Sequence, residues 1–459
     1  MFVTVTAQPE RHATDATASL AGILKENYRG SAVGVYSICS ANHYVLESAM
    51  LQAQRDGSLL LIESTSNQVN QFGGYTGQTP TDFVSFVKGI AAGMSFPAER
   101  IIFGGDHLGP HVWRKEDPSS AMKKAIELVG ACVLAGYTKI HLDTSMRLGG
   151  DPGDSSAPLA DEIISDRAAD LCRAAEDAYK QLPPGSPAPL YVIGTEVPTP
   201  GGELLDAHAP ETTRPADVAR TIQLAREAFE KRGLQAAWER VIALVVQPGV
   251  EFGDATVFPY SPEKARALSQ FLGEHGQDNQ WRGVYEAHST DYQTPTALRQ
   301  MVHDHFAILK VGPWLTFAFR EAVFALAAVE GEWLGDRRGI AISRVREALE
   351  EAMLANPEHW KNYYRGDEAT LRLARKYSLS DRSRYYWTQP DVAAALQRLL
   401  ANLRAHPAPI SLLSQYLPEQ SGALRARAIP NDPLALIHSK ILDVIGHYAR
   451  ACGMSSRES

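Results

Sequence analysis

The sequence predicts an eight-stranded parallel α/β barrel, a (β/α)8 TIM barrel, followed by a helical C-terminal extension. Three observations predict it: eight short apolar runs, helical patterns between most of them, and polar or ionisable residues after every run. The runs lie at 32–38, 58–62, 101–104, 138–142, 190–194, 241–246, 283–287 and 306–309, and are rich in Val, Ile, Leu and Tyr. A short, continuously apolar run is how a strand buried on both faces of a parallel sheet reads.

The intervening helices follow from spacing and caps. In 120–135, Met122, Ile126, Val129 and Val133 recur near the helical period. The next helix, 161–182, opens on the acidic pair Asp161 and Glu162, which suits a helix N-terminus. Two more run over 214–232 and 261–275, the latter with Ser261 as N-cap and Pro262 at the first helical position. Strand then helix, eight times over about 300 residues, is the arithmetic of a barrel. An open doubly wound sheet is the alternative. The missing GxGxxG after the first run weakens it, along with any dinucleotide site. The barrel takes residues 1–330. From Gly331 onward helical patterns follow one another without strands, at 340–355, 368–376, 390–405 and 434–451, and 331–459 is the extension.

Composition bounds the function. With 44% hydrophobic and 21% charged residues the chain is not bulk-disordered. Lys and Arg number 45 against 53 Asp and Glu, a net charge of −8, which excludes a general nucleic-acid binder but not a local basic pocket. Four scattered cysteines (Cys39, Cys132, Cys172, Cys452) without a CxxC pair exclude a disulfide framework and a thiolate zinc site. They suit a reduced, cytoplasmic setting. No apolar run reaches the roughly 18 residues of a membrane helix, and the first twenty residues lack a signal-peptide core.

Barrel chemistry sits at the C-terminal ends of the strands, so the residues after each run are the candidate site. In order they are Ser40 and Asn42; Glu63 to Asn67; Asp106 and His107; Asp143; Glu196; Gln247; His288 to Asp291; and Lys310. Individually, Ser40 or Asp143 could cap a helix, and Glu63 could be ion-paired filling. Together they converge on one mouth. His107, His288 and Glu196 form a divalent-metal set that Gln247 and Asp143 could complete or support, since imidazole and carboxylate suit zinc, manganese and similar ions. Lys310, with Ser289 and Asp291 on the preceding loop, is placed where barrels often hold phosphate. The amide- and glycine-dense stretch 67–77, with Asn67 and Gln71, reads as a mobile loop over the mouth that supplies hydrogen bonds to a polyhydroxylated ligand.

Five motifs carry a family resemblance. They are Glu63 to Gly77, Gly104 to Pro110 (GGDHLGP), Lys139 to Asp143 (KIHLD), Val246 to Phe252 (VQPGVEF) and His288 to Gln293 (HSTDYQ), joined by Arg384 to Trp387 (RYYW). Over roughly residues 30 to 390 the chain resembles the tagatose-6-phosphate kinase-like family. That family includes the Z subunits of tagatose-bisphosphate aldolase and the tagatose-6-phosphate 4-epimerases. No Walker A motif or kinase glycine loop accompanies the kinase name. The chain is more distantly similar to class II aldolases, where an Asp-His pair supplies an acid/base and a zinc ligand. Asp106 and His107 match that pair, and His288 matches a later zinc histidine. Gln247 stands where another zinc histidine is expected, and Ser289 to Asp291 replace a glycine-serine phosphate loop.

The resemblance implies a metal-dependent ketohexose 4-epimerase, acting on D-tagatose 6-phosphate and D-fructose 6-phosphate or on the free sugars. The metal would be zinc first, with manganese, nickel or cobalt as alternatives. C4 of a 2-ketose is β to the carbonyl, so its C–H is not acidic and enolisation cannot invert it. Retro-aldol cleavage of C3–C4 and re-addition to the other aldehyde face can, with Asp106 moving the C4 hydroxyl proton and Asp143 and Glu196 next in line. The alternative is an accessory subunit that stabilises a class II aldolase. Protein partners would then be that aldolase subunit or further copies of the chain.

Overall fold

The computed structural model describes residues 16–153, 158–194, 210–275 and 281–455. Its strands, in chain order, are β1 (Val35–Cys39), β2 (Leu60–Thr65), β3 (Ile101–Leu108), β4 (Tyr137–Leu142), β5 (Leu190–Ile193), β6 (Val241–Val246), the two-residue hairpin strands β7 (Glu251–Phe252) and β8 (Val257–Phe258), β9 (Val284–Ala287) and β10 (Phe306–Val311). All but the hairpin form one closed parallel barrel, in which β1 pairs with β2 on one side and β10 on the other. The expected (β/α)8 barrel is present, each barrel strand coinciding with one apolar run.

Helices begin where short polar caps precede proline. Thr79, Asp117 and Thr294 each accept a backbone N–H and are followed by Pro80, Pro118 and Pro295. Ser261 accepts from the Lys264 N–H at 3.4 Å, the N-cap role its position predicts. After β1 the cap is Asn42 rather than Ser40. Asp143 caps no helix, because its Oδ1 accepts from Ser145 beside it.

The barrel interior is layered. Its floor is apolar, built from Val35, Leu61, Ile102, Val192, Val245 and Val284. Leu20 and Leu24 of the helix Ala16–Tyr28 pack against that floor and close the N-terminal end. Above it lies a charged layer from β1, β2, β4, β9 and β10: Ser37, Glu63, Lys139, Glu286 and Lys310. The mouth lies above that.

Past residue 330 every described element is helical, as expected. The last helix, Pro433–Ala451, packs against Pro313–Leu334, His43–Asp56 and Pro295–His303. It thereby joins the ring around the barrel, beside the helix that follows β10. Its Tyr448 hydroxyl donates to the Thr290 carbonyl at 2.8 Å, and the Cys452 carbonyl accepts from Gly34 at 3.0 Å. No helix among the described residues is long and apolar enough to cross a membrane.

Candidate active site

In a regular strand Asp106 and His107 would point to opposite faces. β3 avoids this. Its pairing with β4 shifts register between Gly105 and Leu108, and His107 takes a left-handed φ of 48°. Such an irregularity re-aims side chains next to active sites, and here both residues line the mouth. Just beyond, Gly109 lets the chain pass close to Asp143, because a Cβ there would lie 1.6 Å from the Asp143 carbonyl oxygen.

Three histidine rings meet at this point. The centroid of His107 lies 4.8 Å from that of His288 and 5.2 Å from that of His141, and His141 and His288 are 5.3 Å apart. Carboxylates orient each ring. Asp143 Oδ2 lies 2.7 Å from His107 Nδ1, leaving Nε2 toward Asp106 at 3.6 Å. Glu286 Oε1 lies 3.0 Å from His288 Nε2, leaving Nδ1. His141 Nδ1 is 3.3 Å from Asp106 Oδ1 and 3.2 Å from the His107 backbone N–H, which also orients it, and His141 Nε2 is buried without a hydrogen-bond partner.

Beneath the rings, Lys139 Nζ lies 2.5 Å from Glu63 and 2.7 Å from Glu286. Lys310 pairs with Glu63 and lies 3.0 Å from Asp106. Three carboxylates, Glu63, Asp106 and Glu286, thus face two ammonium groups, and one negative charge is left over. Burial alone would push the Asp106 carboxyl up, but His107, Lys310 and His141 outweigh it and hold Asp106 well below the usual carboxylate range. Burial holds His288 in its neutral form, down to about 4.

A divalent cation fits these residues. Ligand atoms of Asp106, His141, Glu286 and His288 all lie within 4.8 Å of one another. The orphaned His141 Nε2, the carboxylate-oriented rings and the residual negative charge suit such an ion.

Of the expected site residues, Ser40, Asn67, Asp106 and His107 line one cavity, as do His288, Ser289, Asp291 and Lys310. Glu63 and Asp143 are buried behind it, Glu63 among the lysines and Asp143 behind His107. Gln247 turns into its own loop, where its amide oxygen accepts from Gly249 at 2.8 Å and Val250 at 3.1 Å. Gln71 donates to the Lys124 carbonyl at 2.9 Å and does not line the cavity. Glu196 lies outside the described residues. The stretch 67–77 does reach the mouth, through Asn67, Gln68, Tyr75 and Thr76. It is internally bonded: Asn70 Oδ1 accepts from Phe72 and Gly74, and Thr76 donates to the Gln68 carbonyl.

Two groups in the cluster were not singled out from sequence, His141 and Glu286. Both were findable by strand period. His141 stands two residues before Asp143 and Glu286 two before His288, on the same inward faces. The C-terminal residues Arg384, Tyr385 and Trp387 also line the cavity, and only their long-range placement reveals that.

The fold and the site define a class: a (β/α)8 barrel whose ionisable groups gather at the C-terminal mouth, where barrel enzymes keep their chemistry. Within that class the chain belongs to the D-tagatose-1,6-bisphosphate aldolase subunit GatZ/KbaZ-like family, whose model matches residues 20–453. The crystal structure of a "probable tagatose 6 phosphate kinase" from Sinorhizobium meliloti 1021 is similar over 91% of this chain and 100% of that one, with 42% identity and a TM-score of 0.81. Looser overlaps exist with the fructose-bisphosphate aldolase of Campylobacter jejuni (12% identity, 85% of this chain and 93% of that one, TM-score 0.42) and the YdjI aldolase of Escherichia coli K12 (10%, 84% and 96%, TM-score 0.38). At those scores they add nothing to the barrel already described.

Proposed function

We propose that the chain is a metal-dependent ketohexose 4-epimerase, interconverting D-tagatose 6-phosphate and D-fructose 6-phosphate or the free sugars. The observation that carries this reading is Asp106 set against three converging histidines at the barrel mouth. A divalent metal, zinc first, would be held by His141, His288 and Glu286 beside Asp106, with His107 against them, and when bound it would supply Lewis acidity to the ketose oxygens.

The protein residues account for the rest. Asp106 takes the C4 hydroxyl proton as the C3–C4 bond breaks. The bonding pair stays with C3, giving a three-carbon enediolate, and C4 becomes an aldehyde. When C3 re-adds to the opposite aldehyde face, Asp106 returns the proton to the C4 oxygen. Lys310 and His141, bonded to Asp106, fix its carboxylate. Asn67, Ser40 and Ser289 offer hydrogen bonds to sugar hydroxyls. Tyr75, Tyr385 and Trp387 line the cavity with aromatic surface, which would keep water from the aldehyde fragment.

The family's description as an aldolase subunit supports a second reading, an accessory subunit without chemistry of its own. One experiment separates them. The purified, metal-supplemented chain is incubated alone with tagatose 6-phosphate in deuterium oxide. The expected product is the C4 epimer without deuterium at C4, because that C–H bond is never broken. Deuterium at C4 would replace carbon–carbon cleavage by deprotonation. No epimer, together with stimulation of a class II aldolase on mixing, would establish the accessory reading instead.

A further inference from the structure

A phosphorylated ketose needs an anion site, and the two places a barrel offers one are occupied here by protein groups. The turn after β10 leads into the helix Pro313–Leu334, whose N-terminal donors could cradle phosphate. Asp291 Oδ1 already accepts from them, from Gly312 N at 3.1 Å and Trp314 N at 2.8 Å. The Lys310 ammonium is turned inward to Glu63, Asp106 and Glu286, so its charge is balanced within the barrel.

Arg384 is different. It belongs to the short helical turn Arg382–Tyr385, beyond the barrel, yet lines the same cavity as Asp106 and His288. Its hydrogen bonds go to uncharged acceptors, the carbonyls of Ser380 and Asp381 and the Tyr385 hydroxyl at 2.8 Å. Among the described residues no carboxylate lies within ion-pair distance of it. The Asp381 carboxylate is held elsewhere, by Arg320 at 3.0 Å and Ser383 at 2.8 Å. The guanidinium lies over the Tyr385 ring at 4.5 Å, and that ring stacks on His359 at 4.5 Å. The site is therefore built: the arginine is fixed by neutral groups and lines the cavity with no carboxylate in ion-pair contact, Asp291 and Asp381 feeling its charge only from beyond that distance. A planar guanidinium in that setting matches a phosphate in geometry and charge.

We propose that Arg384 binds a phosphomonoester group of the substrate and sets the preference of the site for phosphorylated over free ketose. The identity of the sugar rests on the epimerase reading; the anion site does not. The C-terminal segment then completes the substrate pocket rather than only buttressing the barrel.

Calorimetric titration of the full, metal-loaded chain with inorganic phosphate, fructose 6-phosphate and fructose tests this. Wild-type protein is expected to bind phosphate, and to bind fructose 6-phosphate about ten- to a hundredfold more tightly than fructose, the range for charge-assisted hydrogen bonds. Arg384→Gln should abolish phosphate binding and bring that ratio to about one. A second measurement needs no variant: phosphate, but not fructose, should protect Arg384 of the wild-type chain from phenylglyoxal, read by peptide mass spectrometry. A wild-type chain that does not bind phosphate overturns the assignment, as does unchanged phosphate binding in Arg384→Gln or indifference of Arg384 modification to phosphate. Phosphate binding lost in Arg384→Gln, with no epimerisation by the wild type, would keep the anion site and dismiss the epimerase. Epimerisation with unchanged phosphate binding in that variant would do the reverse.

Discussion

Asp291 carries two demands that pull against each other. Its Oδ1 caps the helix after β10, while the carboxylate as a whole is buried at the mouth. Burial pushes its carboxyl up to about 6, against the N–H donors of Trp314 and Gly312. A carboxyl whose folded value is raised binds its proton more tightly in the native state. Stability from this group is therefore complete below the unfolded value near 4, and falls as pH rises toward about 6. The loss is on the order of 3 kcal/mol at neutral pH. Asp291→Asn keeps an amide oxygen for both N–H donors and removes the buried charge. It should melt higher than wild type at pH 7.5, with the gap closing between pH 6 and pH 4. A gap independent of pH, or a variant less stable throughout, would show that the charge is not the cost.

At the scale of elements, β4 shows what a single strand contributes and how much of that could be read. Its inward residues Lys139 and His141, with Asp143 just beyond it, feed the charged layer, the histidine cluster and the support of His107 in turn. The strand was legible because both faces are buried and the run is apolar around its polar members. The acids and histidines at strand ends were legible for the same reason. His141 was not singled out because a lone histidine between Ile140 and Leu142 reads as core until the period is counted from Asp143. The hairpin β7–β8 is too short to give a periodic signal, and Gln247 turned into its loop for local N–H donors that no pattern announces. Lys139 is fully buried between Glu63 and Glu286, and removing one partner of a buried ion pair costs about 3–5 kcal/mol. Lys139→Met should lower the urea midpoint accordingly, and Lys139→Met combined with Glu286→Gln should recover part of it. Near-wild-type stability in the single variant would mean that Lys310 alone balances these acids.

The whole molecule depends on its far end. The sequence divides at about residue 330, where strands stop, and nothing local reveals where the later helices dock. In the structure the helix Pro433–Ala451 packs on the barrel's own helices and buries Leu436, Ile437, Ile441, Val444, Ile445 and Tyr448. Burying a large apolar side chain contributes roughly 1.5–3 kcal/mol, so these six together, on the order of 9–18 kcal/mol, are as large as the roughly 5–15 kcal/mol that stabilises a typical domain. Tyr448 also ties the loop after β9, which carries His288 and Asp291, through Thr290. A chain ending at residue 432 should therefore lose the cooperative unfolding of the barrel, bind a hydrophobic dye and be cleaved readily within 295–330. Circular dichroism melts, dye fluorescence and limited proteolysis read these three effects. A truncated chain that melts in one sharp transition near the wild-type temperature would establish the barrel as a self-sufficient unit. The C-terminal helices would then act on the site only through the turn that presents Arg384.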